Sequence, residues 1–349
     1  MQEKQKPPIE NIKEAPLLFL ILALISFFMA GCSPTPHAPK RCERTAVVLG
    51  TVARLAAEGD TAEIAVTECL NRLDTLDRLF DDDAPSAPLA KLRDSAGTGE
   101  WIPMPPMLWH ILYLSQSYSE QTGGAWDITI DPLSTLWKKS LVEGVPPSDE
   151  EIMTAREKVG WEKLELRASD QSARLTEKDM SLDLGGVRKG FALDECRRIY
   201  EAYHVTGLID LGESSIAAVG KKKDGEPFRV ALRHPREALP ARLGILPLED
   251  AVLSTSGDYE HFFIADGVRY HHILDMRTGF PAKSGIASVS VLIDANEPDA
   301  GLISDMLSTA FFVIGKEKSL DLLPLLPVRA EAVFADEAGV IAGENLLRE

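Results

Sequence analysis

Two neighbouring segments carry the most information in this chain: Leu253-Ser-Thr-Ser-Gly-Asp-Tyr-Glu260 and Tyr270-His-His-Ile-Leu-Asp-Met-Arg-Thr-Gly-Phe-Pro281. They gather hydroxyl groups, two adjacent histidines, carboxylates and two glycine turns within about thirty residues. A segment with a purely structural role has little need for so many hydrogen-bonding and titratable groups. The sequence therefore predicts a site for a polar ligand in this region.

A carboxylate and a hydroxyl group follow further along the chain, in a helix predicted to start at Asp299 and to end at Ile314. Asp305 and Thr309 are four residues apart, so they share one helix face and can both reach one hard cation such as Mg²⁺. Most pairs of this kind are ordinary surface pairs. Here the neighbours are apolar, and because an unpaired carboxylate is costly to bury, the context favours a metal site.

A glycine-rich turn, Asp183-Leu-Gly-Gly-Val-Arg-Lys-Gly190, lies between a short predicted strand and a helix predicted over residues 189–203. Glycines let the backbone approach a ligand closely, and a helix N-terminus attracts phosphate. Lys189 could neutralise a phosphate oxygen at such a site. The turn matches neither of the common glycine motifs for nucleotides, so a simple reversal of the chain is the alternative interpretation.

The order of the predicted elements indicates an α+β fold. A strand over residues 45–55, interrupted at Gly50, precedes helices over residues 60–80 and 107–121. The second half of the chain mixes hairpin-like pairs of strands with two further helices. Because these elements do not alternate as βαβ units, the sequence predicts mixed sheets packed with helices.

The N-terminus predicts a secreted lipoprotein. Residues 16–30 are nearly all apolar, a run that is shorter than the ~20 residues of a membrane-spanning helix and is typical of a signal peptide. It ends at Met29-Ala-Gly-Cys32, which resembles a bacterial lipobox. We predict a signal peptide at residues 1–31, a Pro-rich tether at residues 32–45 and one domain at residues 46–349. A lipid on the cysteine would anchor the protein to a membrane on the extracytoplasmic, periplasmic side.

The net charge of −17 argues against nucleic acid as a partner, because phosphate backbones require a basic protein face. An acidic chain that binds an anionic ligand needs a metal ion or local dipoles. Apart from Cys32, the chain contains Cys42, Cys69 and Cys196, and their spacing fits no zinc pattern. Cys42 and Cys69 could pair outside the cytoplasm, but buried free thiols are the favoured interpretation.

Several motifs together resemble the FAD:protein FMN transferases, the ApbE-type lipoprotein family. The motifs that carry the resemblance are Leu182–Asp194, Ser254–Tyr259, His272–Pro281, Asp305–Thr309, Leu49–Thr51 and Ala125–Leu133. They occur in the order of the family, between about residue 46 and residue 315. The resemblance implies the α+β fold of the ApbE flavin transferases.

The resemblance also implies an activity. FAD would bind with Mg²⁺ at its pyrophosphate, a threonine hydroxyl of an acceptor protein would attack the FMN phosphorus, and AMP would leave. Phosphoryl transfer of this kind depends on positioning and on neutralisation of charge. The acceptor protein would carry the flavinylated threonine. A subunit of a membrane redox complex could be such an acceptor.

The resemblance assigns roles to individual residues. It implies Mg²⁺ ligands at Asp305, at Thr309 and at the backbone carbonyl of Gly186. His272 is the candidate base for the incoming hydroxyl, with His271 as the second choice, because imidazole titrates near neutral pH. The residues implied to contact FAD are Leu49, Phe80, Ala125, Trp126, Asp127, Asp183, Lys189 and Ile273.

Three functions remain open from the sequence. The first is the transferase, the second is an FAD pyrophosphatase in which water replaces the threonine, and the third is a non-catalytic flavin-binding lipoprotein. The pair Asp305 and Thr309 favours the two enzymes. The chain departs from the family pattern at Gly212-Glu213-Ser214, which lacks a second glycine, and at Met276, where the family has proline.

Replacement of Cys32 by alanine should release the protein from the membrane fraction or block its processing, because the thiol that would carry the lipid is lost. Cell fractionation with immunodetection measures the result. Cys42→Ala is the matched control and should leave the protein in the membrane fraction. A Cys32→Ala protein that is cleaved and still membrane-bound contradicts the lipoprotein prediction.

Overall fold

The centre of the fold is an eight-stranded antiparallel sheet. The structure is a computed structural model that describes residues 40–81, 84–238 and 240–348. The strands follow one another across the sheet in the order β1 (Arg41–Val48), β2 (Thr51–Glu58), β6 (Thr206–Leu211), β7 (Ser215–Val219), β10 (Ala251–Gly257), β15 (Ser288–Asp294), β16 (Ala330–Ala335) and β17 (Val340–Ala342).

Helices and short strands surround this sheet. The helices are α1 (Ala62–Leu79), α2 (Pro88–Asp94), α3 (Pro106–Gln121), α4 (Asp131–Glu143), α5 (Asp149–Arg156), α6 (Arg188–Ala202), α7 (Ala300–Ile314) and α8 (Lys316–Leu322), with 3₁₀ turns at Ile128–Ile130, Trp161–Lys163, Leu323–Leu325 and Glu344–Leu346. The short strands are β3 (Ile102–Pro103), β4 (Leu164–Arg167) and β5 (Ser172–Leu175) in one sheet, and the hairpins of β8 (Phe228–Arg233) with β9 (Arg242–Leu248), β11 (Phe262–Ala265) with β12 (Val268–His271) and β13 (Leu274–Asp275) with β14 (Phe280–Pro281).

The strand predicted over residues 45–55 is a hairpin of β1 and β2. Its two-residue turn is Leu49-Gly50, with φ of 53° and 69°, as the right-handed twist of a tight hairpin requires. Leucine rarely adopts this conformation, so the turn holds Leu49 under strain. Because β1 begins at Arg41, residues 41–45 belong to the sheet, and the predicted tether extends too far into the domain.

The two faces of the sheet bury different partners. Along β10, Val252, Ser254 and Ser256 point towards α7, whereas Ala251 and Leu253 point towards the β8–β9 hairpin. This alternation follows from the two-residue period of a strand. The helical face of the sheet therefore contains serine hydroxyls at the position where the predicted metal-binding helix packs.

Helices α6 and α7 cross at two glycines. A Cβ atom added to Gly190 would lie 2.2 Å from the carbonyl oxygen of Gly301, and one added to Gly301 would lie 2.3 Å from the oxygen of Gly190. The buried Asp194 carboxylate of α6 accepts hydrogen bonds from the N–H groups of Gly301 (2.9 Å) and Leu302 (3.0 Å). These contacts fix the position of the first turn of α7 against α6.

The first turn of α7 differs in one respect from the prediction. Asp299 was expected to start the helix, but its side chain caps no helical N–H group. It binds His110 (3.0 Å) and Arg198 (3.2 Å) instead. The buried Asp194 takes over the role of capping group because it lies on the helix that α7 packs against. Burial raises the pKa of Asp194 to about 6.

The predicted fold class is confirmed, since helices pack against antiparallel sheets. The helices predicted over residues 107–121 and 189–203 occur as α3 and α6 with bounds shifted by one residue. In the part of the chain that the structure describes, none of the helices combines the length and the apolar character that a membrane crossing requires. The predicted lipobox at Cys32 lies outside the described residues.

Replacement of Gly190 by alanine should destabilise the fold by about 3 kcal/mol or more, because α6 and α7 would have to separate to accommodate the methyl group. Gly225→Ala is the control. It lies in a turn at φ +82° with no atom near the added Cβ, so only backbone strain of about 1–2 kcal/mol is expected. Urea unfolding of both variants measures the difference. Equal losses would show that the helix crossing tolerates a side chain.

Candidate functional site

A cleft of about 650 Å³ opens where the N-terminus of α6, the middle of α7 and the end of β10 meet. The structure brings together most of the residues that the sequence predicted for the site. Those that line the cleft are Leu49, Ala125, Trp126, Asp127, Asp183, Gly186, Lys189, His271, His272, Ile273, Asp305 and Thr309. A cleft of this size can accommodate a ligand as large as a dinucleotide.

Phe80 is the exception among the predicted residues. It is buried in the hydrophobic core and its ring packs edge-to-face on Phe191, with ring centroids 6.1 Å apart. It lies outside the cleft, so the structure does not place it for a direct contact with FAD. Its apolar side chain, at the end of α1, packs α1 against α6. The sequence pattern alone could not distinguish this packing role from a contact with a ligand.

The Asp305 carboxylate is held at the base of the cleft. One oxygen accepts a hydrogen bond from the N–H of Gly190 (2.6 Å), and the other accepts one from the hydroxyl of Ser215 (2.9 Å). Burial raises the pKa of Asp305, and the nearby charge of Lys189 lowers it. A buried carboxylate in this position attracts a cation, because a positive charge would offset the loss of solvation.

The other predicted metal ligands lie next to Asp305. The hydroxyl of Thr309 is one helical turn along α7 and is 3.4 Å from the hydroxyl of Ser256. A Cβ atom on Gly186 would be 3.7 Å from the Thr309 oxygen and only 2.8 Å from the Trp126 ring. A side chain at position 186 would therefore displace Trp126. Glycine avoids this clash and lets the backbone lie close to the Thr309 hydroxyl.

The donor set suits a hard cation with open coordination positions. Among the described residues, no three His, Cys, Asp or Glu side chains converge as a complete metal cage. One carboxylate, one hydroxyl and one backbone carbonyl offer oxygen ligands only. Mg²⁺ binds in this way, with water and ligand phosphates in its remaining positions. The residues present therefore fit Mg²⁺, and the site would be completed by an anionic ligand.

Two lysines face the cleft. Lys189 lies at the start of α6 and forms no ion pair with any described carboxylate. Lys138 of α4 lies 3.2 Å from a carboxylate oxygen of Asp183, whose other oxygen accepts the N–H of Gly185 at 2.8 Å. Burial raises the pKa of Asp183, but Lys138 and that N–H group together bring it below its usual value. Asp183 is thus ionised and oriented before a ligand arrives.

Lys138 was not predicted from the sequence. Four residues of α4 line the cleft at the spacing of one helix face, namely Ser134, Trp137, Lys138 and Leu141. This spacing was a usable signal. Trp137 also forms an aromatic wall with Tyr270 and Phe263, with ring centroids 5.6 and 5.2 Å apart along the stack. The β11–β12 hairpin, to which Tyr270 and Phe263 belong, completes this wall in space.

The two adjacent histidines have different environments. His271 is buried, its Nε2 lies 3.1 Å from the carbonyl oxygen of Ala282, and its Nδ1 accepts the N–H of Ile273 at 3.3 Å. Both ring nitrogens of His271 are therefore occupied. The His272 ring is exposed in the cleft and packs against His261, with ring centroids 5.3 Å apart. Of the two adjacent histidines, His272 is therefore the one whose ring a ligand in the cleft can reach.

The pKa of His272 differs from the expectation that it titrates near neutral pH. Although solvent reaches the ring, protein surrounds it on several sides of the concave cleft. Desolvation, followed by the neighbouring His261 and His271, lowers the pKa of His272 to about 4. The imidazole is therefore neutral at pH 7 in the free protein and able to accept a proton.

Asp127 is held by the chain itself. One oxygen accepts the N–H (2.8 Å) and the hydroxyl (2.7 Å) of Thr129, and the other accepts the N–H of Trp161 (2.9 Å). Burial raises the pKa of Asp127 to about 6, although these bonds lower it. The carboxylate joins two loops behind Trp126, so its role at the cleft wall includes the support of that ring.

A second cleft of about 500 Å³ shares Asp127 and Met276 with the first. Its other lining residues include Arg156, Trp161 and Arg277. It contains neither the predicted metal ligands nor the exposed histidine. The larger cleft is therefore the candidate functional site.

The comparison with known proteins agrees with this geometry. The profile of the ApbE family matches residues 49–334. The chain belongs to the ApbE family. This confirms the resemblance found in the sequence motifs, and the match includes every residue placed in the cleft.

Relatives in the ApbE family share most of the chain. It is 29% identical to the FAD:protein FMN transferase of Treponema pallidum (strain Nichols) over 313 residues, 84% of each chain. It is 27% identical to the FAD:protein FMN transferase of Escherichia coli (strain K12) over 315 residues, 86% of this chain and 88% of the relative.

Solved structures of ApbE proteins share the fold. The crystal structure of the ApbE protein from Thermotoga maritima superimposes with a TM-score of 0.79 and 27% identity, over 89% of this chain and 100% of that chain. The apo form of Pseudomonas stutzeri flavinyl transferase ApbE gives a TM-score of 0.73 with 27% identity, over 89% of this chain and 98% of that chain.

Replacement of Asp127 by asparagine should change how stability depends on pH. The unfolded carboxyl group has its ordinary pKa of 3.8, whereas burial raises the pKa of the folded group to about 6, so the folded wild type binds more protons between these values and loses stability as pH rises. From pH 4.5 to 7 the wild type should lose about 2 kcal/mol relative to Asp127→Asn.

Urea unfolding of the wild type and of Asp127→Asn at these two pH values measures this loss. The difference between the two proteins cancels the titration of the other groups. A difference that stays constant with pH would show that burial does not raise the pKa of Asp127.

Proposed function

We propose that this ApbE-family protein is a Mg²⁺-dependent FAD:protein FMN transferase. FMN would pass from FAD to a threonine hydroxyl of an acceptor protein, and AMP would be released. The observation that carries the proposal is the cleft itself, around which the Asp305–Thr309 pair, Lys189 and the exposed His272 lie together. The similarity to the FAD:protein FMN transferases of Treponema pallidum and Escherichia coli supports the same activity.

Different residues of the cleft would have different roles in phosphoryl transfer. Asp305, Thr309 and the carbonyl of Gly186 would hold Mg²⁺, which when bound neutralises charge on the phosphate oxygens. Lys189 adds a second positive charge at the N-terminus of α6, where N–H groups also favour an anion. Together these groups orient the phosphate, and positioning supplies much of the rate acceleration in this class of reaction.

His272 would accept the proton of the incoming hydroxyl. Its ring is the accessible one of the adjacent pair, and its lowered pKa keeps it in the neutral form that a base requires. His271 is bonded through both ring nitrogens and would hold the start of the segment that leads to Ile273. The geometry therefore favours His272 over His271.

The proposed location follows from the sequence. Lipid attachment at Cys32 would tether the domain to the membrane on the extracytoplasmic side, near acceptors in membrane redox complexes. The first described strand begins at Arg41, so the tether between the anchor and the folded domain would be about eight residues long. Such a short link would keep the folded domain near the membrane.

The proposal is tested by incubating the purified protein with FAD, Mg²⁺ and membranes from host cells that lack it. Denaturing gels viewed under ultraviolet light reveal covalent flavin on protein bands, and chromatography separates free FMN from AMP. We expect a fluorescent band together with AMP in equal amount, and acid hydrolysis of the labelled peptide should yield phosphothreonine. Free FMN without a labelled band would support the pyrophosphatase instead.

Replacement of Asp305 by alanine should abolish transfer, because the only charged protein ligand of the proposed Mg²⁺ is lost. Thr309→Val keeps the side-chain shape but removes an oxygen, so it should raise the Mg²⁺ concentration for half-maximal activity about tenfold, the equivalent of one lost ligand bond of ~1.4 kcal/mol. Turnover is measured against Mg²⁺ after EDTA treatment.

Thr75→Val is the matched control for Thr309→Val. It makes the same change in α1, outside the cleft lining, where the hydroxyl donates to the carbonyl of Asn71 at 2.8 Å. Its Mg²⁺ curve should match the wild type. Full wild-type activity in EDTA, or an unchanged curve for Asp305→Ala, would exclude the metal site.

Replacement of His272 by asparagine should lower turnover by about 10²–10⁴-fold, because general base catalysis is lost, while the affinity for FAD changes little. In the wild type, kcat/KM should stay level from pH 8 to pH 6 and should fall as pH approaches 4, where the free-protein imidazole becomes protonated.

His271→Asn serves as the comparison. It should reduce stability through its two lost ring contacts and affect turnover less than His272→Asn does. Circular dichroism and FAD binding at each pH separate titration of the base from unfolding. A fall in kcat/KM centred between pH 6 and 7, or a larger loss of turnover in His271→Asn, would overturn the assignment of His272.

A further inference from the structure

Three cysteines lie together in the core, away from the cleft. Cys42 of β1, Cys69 of α1 and Cys196 of α6 are buried and free. Cys69 and Cys196 have no solvent exposure. Cys42 and Cys69 do not form the disulfide that the sequence left open. They are buried free thiols, as the favoured interpretation predicted.

Cys69 and Cys196 meet where α1 packs against α6. The sulfur of Cys69 lies 3.5 Å from the backbone carbonyl oxygen of Cys196, and both side chains are fully buried. The ion pair of Arg72 with Glu195, 3.5 Å long, joins the same two helices within one turn of the thiols. The helix packing therefore holds the sulfur of Cys69 against the backbone of Cys196.

The surroundings of the pair favour no other role. Among the described residues, these cysteines belong to no group of three ligands that could hold a metal. The hydroxyl of Tyr200, one turn after Cys196, is buried and has no hydrogen-bond partner in the part of the chain that the structure describes. The neighbouring Cys69 thiol, together with burial, raises the pKa of Cys196, so the folded thiol is a poor nucleophile and would react while the core is still open.

We propose that Cys69 and Cys196 form a disulfide that links α1 to α6 when the protein folds in an oxidising compartment. Two S–H bonds break and one S–S bond forms. The two electrons pass to the disulfide of a thiol–disulfide exchange partner, whose S–S bond breaks and whose two sulfurs take up the two protons. Helix α6 carries Lys189 and Gly190, so the link would fasten one wall of the cleft to the core.

The closed loop between the two cysteines is long. It contains the residues of the chain from 69 to 196, and cross-links that close long loops restrict the unfolded chain most. The oxidised protein should therefore resist urea better than the reduced protein. This inference does not depend on the transferase activity, because it concerns the core and not the cleft.

Peptide mapping of the wild type provides the direct test. Cells that produce the full chain are lysed in denaturant with N-ethylmaleimide, and the protein is digested with trypsin without reductant. Cleavage at the surrounding basic residues leaves peptides 55–72 and 190–197. We expect these two peptides joined, with a mass two hydrogens below their sum, and Cys42 alkylated. Alkylation of all three cysteines, or a bond that includes Cys42, would overturn the proposal.

Urea unfolding at equilibrium tests the consequence. Addition of a phosphine reductant should lower the midpoint of the wild type by on the order of 1 M. Cys42→Ala, the matched control, should keep this shift, and Cys69→Ala should lose it. Each protein is compared with itself, so a loss of packing in a variant does not affect the result. A wild-type midpoint that is the same with and without reductant would contradict the inference.

Discussion

The close approach of two glycines determines the geometry of the cleft. Because neither Gly190 nor Gly301 has a side chain, α6 and α7 cross with their backbones in contact. This contact brings the N–H of Gly190 to 2.6 Å from the Asp305 carboxylate and sets Lys189 beside the same group. The start of one helix and the middle of another thereby form a single polar centre, which larger residues at the crossing would separate.

The polar centre is stabilised from below by the sheet. Serine hydroxyls of β10 pair with hydroxyls of α7, Ser254 with Ser304 at 2.8 Å and Ser256 with Ser308 at 2.9 Å. These bonds satisfy polar groups that would be costly to bury unpaired. They also fix the rotation of α7 about its axis, so that Asp305 and Thr309 face the cleft. The serine-rich segment near residue 254 thus supports the site from behind.

The cleft has a more balanced charge than the whole protein, because three basic side chains line it together with four carboxylates, those of Asp127, Asp183, Glu260 and Asp305. The chain carries a net charge of −17, yet Lys138 and Lys189 face the cleft, and the N-terminus of α6 contributes a partial positive charge. A local field of this kind can hold an anionic ligand in an acidic protein. Binding of a cation at Asp305 would increase that field and would offset the cost of burying its carboxylate.

Part of this arrangement could be predicted from the sequence. The helical spacing of Asp305 and Thr309, the glycine-rich turn before Lys189 and the order of the motifs indicated the family, the α+β class and most residues of the cleft. These signals are local, because hydrogen bonding within helices and turns imposes a fixed spacing on side chains that share one face. The end of the N-terminal tether was less well predicted, since residues 41–45 extend strand β1 through pairing with β2.

Only the tertiary structure decided the remaining points. It placed Phe80 in the core and Lys138 in the cleft, occupied both nitrogens of His271, and left the ring of His272 accessible with a pKa of about 4. It also brought Cys69 next to Cys196. Each of these results depends on contacts between residues that are distant in sequence, and on the burial that such contacts produce. Burial and long-range contact set pKa values and access to solvent, and neither can be inferred from local residue spacing.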